Sequence, residues 1–109
     1  MRVLFVLAMM VLFLGSTSGI CAAVSGYHIT KDNQFGDASK EDLQTIIQYA
    51  RDGDTALVQK ALDEGYLTGT ITYFKNGEPI DVEEHGDGLI KVRRPGETQT
   101  YWTIIQAIM

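Results

Sequence analysis

Thr68 to Ile104 reads TGTITYFKNGEPIDVEEHGDGLIKVRRPGETQTYWTI, and this stretch decides the fold class. Threonine, isoleucine, valine and aromatic residues alternate with polar residues in short runs, which is typical of strands with one buried face. Turn-forming residues separate the runs at roughly ten-residue spacing, as in a meander of antiparallel strands. The pattern predicts strands over residues 68–74, 79–84, 89–94 and 100–104.

The first predicted turn is Asn76-Gly77, a strong hairpin signal because both positions tolerate positive φ. Gly86-Asp87-Gly88 and Pro95-Gly96 give the next two turns. One alternating set of side chains is predicted to face the core, with Ile104 on the opposite face and Trp102 either beside it or covering the helices. That set comprises Ile71, Tyr73, Ile80, Val82, Ile90, Val92, Tyr101 and Thr103.

Two amphipathic helices are predicted upstream of the strands. Ser39 followed by Asp42 favours a helix start, and the apolar residues that follow recur at helical spacing. Gly53 and Gly65 each offer a left-handed stop. Because the link between the helices is short, they should fold back on each other as a helical hairpin. The predicted helices cover residues 39–52 and 54–64.

The first 23 residues have the pattern of a signal peptide. Arg2 precedes an apolar run, Val3 to Leu14, that falls well short of the roughly 20 residues needed to span a bilayer. Small residues follow at Cys21-Ala22-Ala23, which favours cleavage after Ala23. The chain is therefore predicted to be exported to the periplasm or the extracellular space, with no membrane span after cleavage.

Two alternatives to cleavage stay open. Lipidation at Cys21 would make the chain a lipoprotein, although Ile20 is bulky for the position before a lipidated cysteine. An uncleaved anchor running on to Val24 is disfavoured because glycine and hydroxyl residues dilute the segment. Cys21 is the one cysteine of the chain, so no internal disulfide is possible and stability must come from packing.

The remaining 86 or so residues suit a single domain. Residues 24–38 lack a clear period and are predicted to be an extended lead-in, followed by one α+β domain over residues 39–109. In that domain the helical hairpin packs on a four-stranded antiparallel meander or small barrel. The net charge of −5, from 14 acidic and 9 basic residues, disfavours nucleic-acid binding.

The closing strands carry a resemblance to a known family. Gly88 to Arg93 (GLIKVR), Pro95 to Thr98 (PGET) and Tyr101 to Thr103 (YWT) resemble the closing half of small bacterial Src-homology-3-like barrels. Such domains occur in short exported proteins, sometimes behind a helical hairpin. The resemblance implies a binding or scaffolding module, and it brings no catalytic residues to transfer.

Aromatic and basic side chains of the predicted sheet are the candidate partner-binding residues. The basic ones, with Lys75 and Lys91 nearby, would attract an anionic partner such as a cell-wall polymer, although a solvated strand edge protected by charge explains them as well. The aromatic ones, together with Tyr66, suit either a recognition groove or the core. The candidates are Tyr73, Phe74, Arg93, Arg94, Tyr101 and Trp102.

No pattern of residues predicts catalysis, a metal or a cofactor. His85 lies among acidic residues, but neighbouring strand residues point to opposite faces, so a polar turn is the better interpretation. Asp32 and Asp37 lack the ligand spacing of a calcium loop. Ser25 and Ser39 have no histidine at a suggestive spacing.

These observations predict a non-enzymatic exported interaction module that binds a protein or a component of the cell envelope. The alternative is a small inhibitor or immunity-type protein that blocks a partner enzyme with an acidic surface. The identity of the partner and the oligomeric state stay open.

Overall fold

The computed structural model describes residues 24–109, and the predicted leader, with Cys21, lies outside them. Helices and strands alternate in blocks along this part of the chain. In chain order they are β1 (Val24–His28), β2 (Gln34–Asp37), α1 (Lys40–Arg51), α2 (Thr55–Thr68), β3 (Ile71–Phe74), β4 (Pro79–Gly86), β5 (Leu89–Arg93), β6 (Thr100–Ile104) and a 3-10 helix, Ile105–Ile108.

The strands form one antiparallel sheet in the order β1-β4-β5-β6-β2-β3, curled into a half-barrel. The predicted α+β class, with a helical pair on an antiparallel sheet, is therefore confirmed. β4, β5 and β6 form a meander, and Asp87-Gly88 makes its first turn with both residues at positive φ (58° and 75°). Such a turn matches the twist of the strands that it joins.

The predicted first link of the meander is wrong. β3 pairs with β2, not with β4, so Asn76-Gly77 does not join paired strands. Gly77 instead donates its backbone N–H to Ile29 O at 2.7 Å, and Ile29 N donates to Glu78 O at 2.9 Å. These bonds continue the β1–β4 ladder. The segment 24–38 supplies two strands of the sheet rather than only a lead-in to it.

α1 begins where the sequence predicts. The Ser39 hydroxyl accepts from Asp42 N at 3.2 Å, which satisfies one of the free N–H groups at the helix start. Leu43 and Ile46 on its inner face are buried. Gly53 follows the helix at φ 75°, in the left-handed region that glycine adopts easily.

α2 is longer than the predicted range of 54–64. It begins after its N-cap, Asp54, passes through Gly65 and ends at Gly69, which has φ 85°. α2 packs closely on β3 at Gly65, where a Cβ would overlap Ile71 Cγ1 and lie 3.1 Å from Ile71 Cβ. Although the helix approaches β3 so closely, none of its residues is fully buried.

The core lies on the concave side of the sheet. Its main cluster comprises Ile29, Phe74, Ile80, Val82, Ile90, Val92 and Ala107. Each isoleucine, valine or phenylalanine side chain of this cluster contributes roughly 1.5–3 kcal/mol by leaving water. Most of the predicted inward set is buried, but Tyr73 is 43% exposed and its neighbour Phe74 takes the buried position. On the opposite face, Trp102 is half-buried beneath Lys40, whose Nζ lies 4.9 Å from the ring centroid.

Candidate binding surface

The predicted basic cluster is largely neutralised within the sheet. Arg93 Nε donates to Glu83 Oε2 at 2.6 Å, and Lys91 Nζ lies 3.1 Å from Glu84 Oε2. Both pairs link β5 to β4, where the two strands run side by side. Since these cations already face carboxylates, they present a weaker field to an anionic partner than the sequence alone suggests.

Arg94 is the most extensively bonded cation of the described residues. Its guanidinium donates to the Glu78 carboxylate, to Thr72 Oγ1 at 2.9 Å and to Tyr73 O at 2.9 Å. Its Cζ also lies 5.0 Å from the centroid of the Phe74 ring. Arg94 therefore connects the edge strand β3 to the turn that precedes β4.

The ionisation of this pair follows from its bonds. Burial acts to raise the pKa of Glu78, but the hydrogen bonds from Arg94 and from the Lys75 backbone outweigh it, so the net pKa is lowered. The hydrogen bond to Glu78 raises the pKa of Arg94. The pair is therefore fully charged at neutral pH.

The aromatic candidates occupy different places in the fold. Phe74 is 4% exposed and packs edge-on against Tyr101, with ring centroids 6.3 Å apart. Trp102 faces the start of α1. The structure thus groups Phe74, Arg94 and Tyr101 and separates Trp102 from them.

Tyr73 belongs instead to an exposed aromatic pair. Its ring centroid lies 5.4 Å from that of Tyr66 in α2, at an interplanar angle of 44°. Tyr66 is 59% exposed, and the adjacent Leu67 is 84% exposed. We call Tyr66, Leu67 and Tyr73 the tyrosine surface. Tyr66 and Leu67 lie past the predicted helix end, so their position beside β3 is not predicted.

The helical part of this surface belongs to an acidic stretch of the chain. Asp63 lies three and four residues before Tyr66 and Leu67, a spacing that brings side chains to one helix face. The region 40–68 is acidic as a whole. It carries Glu41, Asp42, Asp52, Asp54, Asp63 and Glu64 against Lys40, Arg51 and Lys60.

Asp37, at the end of β2, is the one charged residue in the buried set of the described chain. Its Oδ1 accepts from Ser39 N at 2.9 Å, while Oδ2 is buried with no hydrogen-bond partner within residues 24–109. Burial raises the pKa of the carboxyl, and the nearby charge of Asp42 adds to the increase, against the lowering effect of the Ser39 bond. Asp37 holds the chain at the entry to α1.

Histidine and carboxylate side chains do not gather into a cation site in the part of the chain that the structure describes. His28 and His85 are both exposed, at the ends of β1 and β4. Over the same residues, no helix has the length and apolar character to cross a membrane.

Comparisons of the chain with known protein families, curated proteins and solved structures find no match.

Proposed function

We propose that the protein is an exported, non-enzymatic interaction module that binds a protein partner through the tyrosine surface. The observation that carries the proposal is the pair of exposed tyrosines, Tyr66 and Tyr73, with their rings 5.4 Å apart across α2 and β3. Tyrosine is enriched in protein interfaces because its ring is apolar and its hydroxyl remains polar. The resemblance of the closing strands to small binding barrels supports the same class of function.

Charge indicates the chemistry of the partner. The helices beside the tyrosine surface carry more carboxylates than cations, and the face of an aromatic ring attracts an ammonium or guanidinium group. A docking segment with lysine or arginine next to an apolar side chain complements both features. Lys75 is exposed two residues after Tyr73, so the side of the tyrosine surface next to β3 also carries a positive charge.

Site-specific photocrosslinking tests the docking surface. A photoreactive phenylalanine analogue at Tyr66 should trap the partner in cells that express the full chain. The matched position is Tyr27, which is as exposed as Tyr73 but lies in β1, at the other edge of the sheet. Equal crosslinking at the two positions would overturn the assignment.

Affinity for the trapped partner supplies the second measurement. Tyr66→Ser should weaken binding by about tenfold or more, as expected for an aromatic anchor, whereas Tyr27→Ser should leave binding unchanged. Added salt should also weaken binding because the partner is basic. Binding that is indifferent to Tyr66→Ser would show that the partner docks elsewhere.

The intact mass of the mature protein tests export. A chain that begins at Val24 is the expected product. A mass that retains residues 1–23, or one that includes lipid at Cys21, would replace cleavage with one of the two anchored forms.

A second candidate function is inhibition of a partner enzyme, and the acidic tip of the helical hairpin supports it. Asp52 and Asp54 flank Gly53 there, and all three are exposed. Under this hypothesis, Asp52→Asn with Asp54→Asn should abolish inhibition of the partner enzyme, while Tyr66→Ser should not. Asparagine keeps the N-cap function of Asp54, so the helix should survive the change.

A further inference from the structure

A cleft of about 240 Å³ lies between the helical hairpin and the sheet. Val58 is the lining residue of the cleft from α2, a helix with no buried residue. The walls of this helix–sheet cleft are mainly apolar, formed by Phe35, Leu43, Ile47, Ala50, Val58 and Ile104.

A second, more polar basin of about 230 Å³ lies beside the helix–sheet cleft along α1. Ile47 lines both spaces. Leu89, on the wall of the basin, is the cross-strand partner of Ile104, on the wall of the cleft. The two spaces are therefore neighbours, with an apolar end toward α2 and a polar end at Arg51.

Arg51 gives the polar end an uncommitted positive charge. Within residues 24–109, no hydrogen bond or ion pair engages its guanidinium. The carboxylate at the same basin, Asp87, already faces Lys40 at 3.4 Å. An anionic group in the basin could therefore accept hydrogen bonds from the N–H groups of the Arg51 guanidinium.

We propose that the helix–sheet cleft binds a single-chain amphiphile with an anionic head, such as a fatty acid of medium length. The aliphatic chain occupies the apolar end, and the carboxylate faces Arg51. The narrow volume favours a single chain, because it lies below the range of about 300–1,000 Å³ that is usual for drug-sized ligands. This inference does not depend on the tyrosine surface, which lies on another part of α2.

Calorimetric titration of the purified protein with dodecanoate, below the concentration at which it forms micelles, tests the proposal. Dodecanoate should bind saturably, one molecule per chain, and raise the Tm by mass action. Dodecylamine has the same chain with a cationic head, and it should bind at least about tenfold more weakly because its head faces Arg51. Absence of saturable dodecanoate binding, or equal binding of the two ligands, would overturn the proposal.

Two substitutions locate the ligand. Arg51→Gln should weaken dodecanoate binding about tenfold, as expected for the loss of one charged hydrogen-bonding partner, and leave binding of dodecan-1-ol unchanged. Lys60→Gln removes the same charge from the exposed side of α2 and is the matched control, so dodecanoate should bind it as the unaltered protein does. If the two substitutions weaken dodecanoate binding equally, the effect of Arg51 is only its contribution to the net charge, and the assignment of the head group to Arg51 is wrong.

Val58→Phe should fill the apolar end and abolish binding of both dodecanoate and dodecan-1-ol. Arg51→Gln lies on the surface and does not disturb packing, so the test holds even if the Val58 variant is unstable. Tyr66→Ser should bind dodecanoate normally. Loss of partner docking in this variant, with dodecanoate binding unchanged, would show that the two proposals stand or fail independently.

Discussion

Arg94 and Glu78 form an ion pair that joins the residue after β5 to the turn before β4. The same guanidinium bonds the β3 side chain of Thr72 and the β3 backbone at Tyr73. β3 is an edge strand, and a cation on its outer carbonyl protects that edge from pairing with another chain. The pair therefore links β3 to the start of β4 and covers part of the exposed edge of β3.

Arg94→Ala should lower the free energy of unfolding by about 2–4 kcal/mol, because it leaves Glu78 largely buried without its partner. Urea denaturation measures the loss. Arg93→Ala is the matched control, since the Arg93–Glu83 pair is more exposed and should contribute about 1 kcal/mol or less. Similar losses in the two variants would contradict a special role for Arg94.

Asp37→Asn should stabilise the protein at neutral pH, by about 1 kcal/mol, because it removes a charge that burial disfavours. The folded state raises the pKa of Asp37, so it holds the proton more tightly than the unfolded chain does. The stability contributed by this group is full below the ordinary aspartate pKa and is lost as pH rises through the folded-state pKa. The gain from Asp37→Asn should therefore shrink toward zero at low pH.

Thermal melts of both proteins across this pH range give the comparison. Asp32→Asn, in the exposed loop before β2, removes an exposed carboxylate and is the control variant. The pKa of Glu78 is lowered in the folded state, so its contribution to stability changes with pH in the direction opposite to that of Asp37. Because Glu78 is present in every variant, the difference in Tm between Asp37→Asn and the unaltered protein isolates the effect of Asp37. A gain that is independent of pH would contradict the assignment.

Gly65→Ala should destabilise the protein by roughly 1–3 kcal/mol, because the new methyl group would overlap the buried side chain of Ile71 and push α2 from β3. The better helix propensity of alanine, worth about 1 kcal/mol, works against this loss and does not overcome it. Gly86→Ala is the control, since nothing lies within 4 Å of its Cβ position. A Gly65→Ala variant with a raised Tm would show that the contact with β3 is loose.

Amide hydrogen exchange should be faster in α2 than in α1. α1 buries Leu43 and Ile46, whereas α2 has no buried residue and exposes Leu57 and Leu67. Segments with little buried apolar surface open at lower free energy than the rest of a domain. Mass spectrometry of peptides from the two helices measures the difference, and equal protection would mean that they open together.

Local signals account for the parts of the fold that the sequence predicts. Ser39 and Asp54 cap their helices through bonds to backbone N–H groups three residues on, and such bonds need no information from elsewhere in the chain. The alternation in β4 and β5 places Ile80, Val82, Ile90 and Val92 in the core for the same reason. These elements follow from residues close in sequence.

Long-range packing accounts for the rest. Gly65 has the character of a helix stop, yet α2 runs through it to Thr68 and packs on Ile71 of β3 there. Asn76-Gly77 suits a hairpin, but its backbone bonds to Ile29, nearly fifty residues away. The sequence offers Tyr66 and Tyr73 as groove candidates, but it does not predict that they pair with each other. Their pairing needs the longer α2 and the position of β3 beside it.

The strand order has a consequence for how the chain reaches this structure. β1 pairs with β4, and β2 lies between β6 and β3. Both N-terminal strands therefore pair only with strands from the second half of the chain. Folds dominated by such distant pairings form slowly. The complete sheet can therefore form only after residues 100–104 are free to pair with β2 and β5.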